Sequence, residues 1–365
     1  MSAPKKVLFT AHVDSHILAF HTPYLKYFKD KGYDVHVASH GDAVVPHTDV
    51  KYNVPIERSP LKLNNLRAIR QLKEIIDREN YDIIHTHTPM GSVVTRLAAM
   101  AARKKGTRVI YTAHGFHFFK GAPLLNWLIY YPIEKLLAHQ TDDLITINNE
   151  DYERAKAKFK TRVHYVPGVG IDPKKLDVNM TETERSKLRK SLVLKEDDFV
   201  MIYVAELSKR KNQMWLVKTL EEMMKKDNKV HLLLPGKDSL NGKLHELVKN
   251  LDLENQVHLL GFRSDIPQLM KISDMAVSAA KQEGLPVNLM EAMYLGLPIV
   301  ATDCRGNRDL IDGSLSGKVV EQDDSTAFTQ AVIWGRTARA GWEETMKPYR
   351  LDEVAENMEE IYVSK

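Results

Sequence analysis

The sequence predicts an α/β protein built from two Rossmann-like, doubly wound domains facing across a cleft. Three observations predict it. Short β-branched apolar runs alternate with helix-periodic stretches along the whole chain. That series stops near residue 167 and restarts after Asp198. A chain of 365 residues is long for one core and comfortable for two. Continuous apolar strands separated by helices form parallel sheets covered on both faces.

In the first half the expected strands are VLFTA (7–11), YDVHVAS (33–39), YDIIHTH (81–87), RVIYTAH (108–114), DLITIN (143–148) and VHYVP (163–167). Leu66–Arg78 and Ser92–Ala102 carry helical spacing between them. PGVGIDPKKL (167–176) has the Pro-Gly composition of a hinge. The second series is FVMIYVAEL, KVHLLLPG, QVHLLG, DMAVSAA, PIVATD and KVVE. Leu351, Val354, Met358 and Ile361 then repeat at helical spacing, and no strand follows. The expected organisation is a first domain over 1–168, a second over 172–345, and a closing helix over 350–365 that packs back on the first.

Composition narrows the class. The apolar and charged fractions, 43% and 27%, are those of an ordinary globular protein. The single cysteine, Cys304, excludes a disulfide framework and suits a reducing, cytoplasmic setting. MSAPKKVLFTA is too short in its apolar run for a signal peptide. The best candidate for a membrane span, Leu124–Ala138, is broken by Pro132, Glu134 and Lys135. Residues 1–170 hold 24 Lys and Arg against 16 Asp and Glu, so the first half is basic and the remainder acidic. Such a half meets nucleic acid, an anionic membrane surface or a diphosphate lipid, or its lysines simply solvate a surface.

Ligands of doubly wound sheets bind beyond the carboxyl ends of the strands, and the informative residues stand there. In KQEGLPVNLMEAM (281–293) a loop follows the strand DMAVSAA. Pro286 suits the first turn of a helix, and Gly296 suits its end. Free N–H groups near 285–288 would make a phosphate site. Glu283 before the helix and Glu291 inside it would each accept from a pair of hydroxyls. A phosphate between two polyhydroxyl groups describes a sugar nucleotide. Lys209, Arg210 and Lys211 follow the strand FVMIYVAEL, which favours a phosphate role over a merely solvated charge run, above all for Lys211. Lys237 and Asp303 also end strands, with weaker claims.

EGLPVNLMEAM followed by GLPIVATD resembles the region with two glutamates eight residues apart in glycosyltransferase family 4, a retaining family with the GT-B fold. VAELSKRKNQ (204–213) resembles its phosphate loop. IIHTHTPMG (83–91) and YTAHGFHF (111–118) resemble a subgroup that makes capsule, exopolysaccharide and N-glycan precursors on a polyprenyl carrier. The resemblance implies a UDP-sugar donor, a polyprenyl-diphosphate-linked glycan acceptor, no nucleic acid, and attachment to the inner face of the cell membrane. It implies that Glu283, Lys211 and His114 serve the reacting sugar and diphosphate. It assigns the donor to Glu291, Arg210, Phe262, Arg263, Gly284, Leu285, Pro286, Val287 and Asn288. The family's usual Gly-Arg is here Ala205-Glu206, so Lys209 or Arg210 would have to replace a phosphate arginine. The family's Gly-Gly loop after the first strand is also absent; here it reads AHVDSHILAF.

Twelve of fifteen histidines precede residue 165. His16, His85 and His87 are acceptor-side candidates, although a satisfied core role competes for His85. No metal site is expected. The chain has no HExxH pair, and His85 and His87, two apart on a strand, are taken to face opposite sides. No cofactor is expected. Leu124–Leu137 reads as a buried interdomain or core helix, with a membrane-dipping face as the sharper alternative. A sugar-nucleotide epimerase of the same fold and a noncatalytic sugar-nucleotide-binding subunit remain as other functions.

Overall fold

The computed structural model describes residues 4–311, 315–338 and 341–364; the first three residues of the N-terminal stretch read above lie outside them. The chain forms two units, Met1–Val169 with Ala355–Lys365, and Gly170–Val354.

The first unit contains β1 (Lys6–Val13), β2 (Asp34–His40), β3 (Val50–Asn53), β4 (Ile83–His87), β5 (Arg108–Ala113), β6 (Asp143–Thr146) and β7 (Arg162–Tyr165). They make one parallel sheet in the order β3-β2-β1-β4-β5-β6-β7. The second unit contains β8 (Phe199–Ile202), β9 (Val230–Pro235), β10 (Val257–Gly261), β11 (Met275–Ser278), β12 (Ile299–Thr302) and β13 (Gly317–Val320). These are parallel in the order β10-β9-β8-β11-β12-β13. Strand order reverses between β1 and β4 in one sheet and between β8 and β11 in the other. Those two points are where a doubly wound sheet opens a crevice.

The central strands are buried on both faces, which is why they read as unbroken apolar runs. Leu8, Ile84 and Val109 lie at the heart of the first core, and Met201, Leu232 and Val277 at that of the second. Three expectations need correction. FVMIYVAEL is a strand only to Ile202, and its remainder forms the loop at the switch point. Ser92–Ala102 is two helices, Pro89–Ala98 and Met100–Lys104. β3 was not anticipated, because VKYN lies at the sheet edge and carries no apolar run.

The closing helix runs Leu351–Val363, beginning in the second unit and ending in the first. Within the first unit the Tyr362 hydroxyl meets His85 Nδ1 at 2.8 Å, and Arg108 donates to the carbonyls of Ile361 and Tyr362.

Candidate functional site

In the second unit the loop after β8 is held tightly. A Cβ at Gly236 would lie 1.8 Å from the Ala205 carbonyl oxygen, so only glycine lets β9 end against that loop. Gln213 spans the loop, accepting from the Ser208 N–H and donating to the Glu206 carbonyl. Arg210 and Lys211 thereby reach the loop after β11. Lys211 Nζ donates to Glu283 Oε1, and Arg210 Nη1 lies 3.2 Å from Glu283 Oε2 and 3.0 Å from the Gln282 carbonyl. Arg210 is thus the cation that joins Lys211, while Glu206 turns instead to the Ser239 hydroxyl. Glu283 is 8% exposed, and Arg305 donates to its carbonyl at 3.1 Å. A Cβ at Gly306 would come within 2.6 Å of the Gly284 carbonyl oxygen, so a bare backbone supports the Gly284-Leu285 turn from behind.

The helix after that turn is Val287–Tyr294, and Gly296 follows it at φ +78°. Pro286 is its N-cap, with φ −79° and ψ 110°, rather than a residue of the first turn. A proline cannot cap by side chain, and none does. The N–H groups of Val287 and Asn288 therefore have no intrahelical partner, as at any helix start, and the loop that Lys211 and Arg210 reach leads directly into the positive end of this helix. Glu291, one turn further on, is half-buried, and burial pushes its carboxyl up to about 7 against a smaller opposing pull from Lys175. Phe262 is exposed with Lys237 Nζ 5.5 Å from its ring centre, and Arg263 pairs with Asp265. Asp303 pairs with Arg308 at 2.8 Å, a local structural contact.

In the first unit, β1 ends in AHVDSHILAFH, and a strained turn ties it to β4. Thr88 sits at φ 64°, unusual for a β-branched residue, and its hydroxyl accepts from the His12 N–H at 3.1 Å. His85 has both nitrogens engaged, by Tyr362 and Thr112 at 2.8 Å each, and acts as a packed core residue. His85 and His87 do not face opposite sides: their ring centres are 4.1 Å apart, because residues two apart on a strand share a face. His87 stacks on His21 at 3.6 Å. His16 and His114 lie edge to face at 4.8 Å. Burial keeps these imidazoles neutral, pushing His114 to about 4 and His16 to about 2.

His16 and His114 line a cavity of about 890 Å³. Leu66 and Ile69, Met90 and Val93, and Ile129 and Ile133 form its apolar walls, with Arg58 and Lys62 at its edge. The helix Leu124–Leu137 walls one side and is no core helix: Leu124, Leu125, Leu128 and Leu136 are all exposed, Leu124 to 73%. It is anchored by a buried pair. Arg96 Nη2 donates to Glu134 Oε2 at 2.8 Å, and its guanidinium lies 4.3 Å from the Tyr111 ring centre. Glu134→Ala leaves that buried cation without its carboxylate and is expected to cost about 3–5 kcal/mol in urea unfolding, whereas Arg96→Met with Glu134→Leu should recover most of it.

Comparison with known proteins places these features. Residues 6–148 match the family model Glycosyl transferase 4-like, and residues 184–335 match Glycosyl transferases group 1. EpsD of Bacillus subtilis (strain 168), provisionally named a glycosyltransferase, is 43% identical over 330 residues, spanning 90% of this chain and 86% of EpsD. The chain belongs to glycosyltransferase family 4. An Escherichia coli relative of this family-4 enzyme, named UDP-Gal:alpha-D-GlcNAc-diphosphoundecaprenol alpha-1,3-galactosyltransferase, is 26% identical over 277 residues, 74% of this chain and 70% of its own. The crystal structure of Anabaena HepE in complex with UDP matches with a TM-score of 0.76 at 19% identity, covering 99% of this chain and all of HepE. That likeness gives the family-4 chain a GT-B fold.

The motif reading of this glycosyltransferase singled out Glu283, Lys211, Arg210 and the 284–288 turn, and the structure brings these together. It did not single out His21, Gly306, Gly236 or the Arg96–Glu134 pair. The one available signal for His21 was the density of histidines in AHVDSHILAFH.

Proposed function

We propose that the enzyme transfers a hexosyl or N-acetylhexosaminyl unit, with retention, from a UDP-sugar to a polyprenyl-diphosphate-linked glycan during surface-polysaccharide or glycan-precursor synthesis. The observation that carries this reading is the pairing of Lys211 and Arg210 with Glu283, on the loop that leads into the uncapped helix Val287–Tyr294. Two cations and a helix N-terminus suit a diphosphate without a metal ion. Glu291 would take the ribose hydroxyls, the backbone at Phe262 and Arg263 the base, and Glu283 the donor sugar. A role for His114 beside the transferred sugar belongs to the same proposal.

In the reaction the bond from the anomeric carbon to the diphosphate breaks, and a bond from that carbon to the acceptor oxygen forms. The acceptor proton passes to a donor phosphate oxygen, and UDP leaves. Charge grows on the leaving diphosphate, so fixed cations that strengthen there lower the barrier. Glu283 is not assigned as a nucleophile, since its carboxylate is committed to Lys211 and Arg210.

The acceptor assignment rests on the first unit's cavity and on the named activity of the Escherichia coli relative. Apolar walls suit a polyprenyl chain, and Arg58 and Lys62 suit its diphosphate. No helix among the described residues is long and apolar enough to cross a membrane. Exposed leucines on Leu124–Leu137, with exposed Arg58, Lys62, Arg67 and Arg70 on the same unit, support attachment at the surface instead. Leu124, Leu125 and Leu128 changed together to serine should abolish co-flotation with anionic vesicles while leaving UDP binding intact. Undiminished flotation would remove the membrane assignment. The function as a whole is tested by incubating donor with lipid-linked acceptor and measuring both UDP and the extended glycan.

A further inference from the structure

We propose that His16, His21 and His114 form a binding site for a divalent transition metal of the zinc class, open to the first unit's cavity. One ligating nitrogen from each lies within 4.8 Å of the other two. Tetrahedral zinc with nitrogen ligands at about 2.0–2.1 Å places those nitrogens roughly 3.3 Å apart. Closing the site therefore takes a contraction of at most about 1.5 Å between ligating nitrogens, made by His16 and His114 toward the stacked His21.

Four nitrogens of these rings have no competing partner among the described residues. Both nitrogens of His21, and Nε2 of His16 and of His114, are buried with no hydrogen-bond partner among the described residues. Leaving such an atom unpaired is costly, and native proteins rarely tolerate several in one place. His21 makes the point whichever tautomer it adopts. A neutral imidazole has one N–H and one lone pair, so a lone pair of His21 lacks a donor in either form. Burial holds all three rings neutral, the state a metal requires. His87, stacked flat on His21, fixes the plane of that ring.

Three protein ligands leave a fourth position, the arrangement of reactive rather than closed structural zinc sites. Because His16 and His114 line the cavity, that position faces it. Three neutral imidazoles leave the ion's charge uncompensated. Glu134, a carboxylate on the same cavity wall, is already paired with Arg96. The open position therefore favours an anionic oxygen, hydroxide or phosphate. That a phosphate would come from the lipid-linked acceptor rests on the function proposed above; the metal site itself does not. All three ligands belong to the first unit, whereas Lys211 and Arg210 belong to the second; in this site His114 acts as a ligand in place of the direct sugar contact proposed above.

The test uses the full chain without a histidine tag, stripped with chelator and titrated with Co²⁺ as a spectroscopic probe, alongside dialysis against Zn²⁺ and elemental analysis. The expected result is one metal per chain, with the intense visible bands of a four- or five-coordinate nitrogen site. His16→Gln, His21→Ala and His114→Gln should each weaken binding at least about tenfold. Circular dichroism and a cooperative urea-unfolding transition would show that each variant is folded. Substoichiometric metal in the unaltered protein, the weak spectrum of octahedral aquo-cobalt, or equal binding by all three folded variants would overturn the proposal. Because metal is read without turnover, its failure is distinguishable from failure of the transferase reading.

Discussion

Lys211→Ala is expected to lower turnover of the sugar donor by about 100- to 1000-fold, the usual loss when one fixed contact to developing negative charge is removed. The Lys211 side chain is only 12% exposed and its ammonium sits against Glu283, so it is largely desolvated and already positioned. It reaches there because Gly236 and Gln213 fix the loop after β8. In the ligand-free protein Glu283 holds Lys211 and Arg210 in place, and an incoming diphosphate would share them. Glu283→Gln should therefore also lose activity, with a rise in KM, because both cations lose the anion that orients them. Circular dichroism checks that the fold persists, and UDP release checks turnover. Turnover of Lys211→Ala equal to the unaltered protein would mean that the diphosphate binds elsewhere.

Glu291 carries the second large effect, and its signature is pH. Burial raises its carboxyl from 4.5 to about 7 in the folded, ligand-free chain. A carboxyl whose folded pKa lies above its unfolded value favours the folded state when protonated. Its contribution to stability is therefore present below about 4.5, declines as pH rises to about 7, and stays lost above. Binding runs the other way. The carboxylate accepts from two ribose hydroxyls more strongly than the neutral acid, so affinity for a UDP-sugar should climb as pH rises through about 7. A UDP-sugar is the right probe, since its diphosphate diester does not titrate in that range. Glu291→Gln should bind about ten- to hundredfold more weakly and with a flat pH profile. A variant that kept the slope would show that another group titrates.

Much of this arrangement was legible in the sequence. Every strand of the second sheet appeared as an apolar run, and its four central strands are buried along nearly their whole length and need no alternation. The turn before Val287–Tyr294 was legible from Gly284, which has the widest backbone freedom, and Pro286, whose φ is fixed. Leu124–Leu137 was bounded correctly, yet its burial was not. An apolar helix looks the same in sequence whether protein or lipid covers it, and only its neighbours decide. β3 was missed because an edge strand needs no apolar face. The histidine cluster was missed for a deeper reason. His16 and His21 come from the segment after β1, and His114 from the end of β5, and nothing in their spacing states that these strand ends converge. The rule that ligands gather beyond the carboxyl ends of strands pointed to the right edge of the sheet but not to which side chains would meet there.

The most direct test of the proposed function is a transfer assay with defined partners. The purified chain, a panel of UDP-sugars and a short-chain polyprenyl-diphosphate-linked glycan are combined, and the lipid product is weighed by mass spectrometry. The predicted result is a lipid heavier by one hexosyl or N-acetylhexosaminyl residue, matched by one UDP released, and lost with Lys211→Ala. Conversion of the sugar nucleotide in the absence of acceptor, or UDP-sugar binding with no change in the mass of any lipid acceptor, would contradict it.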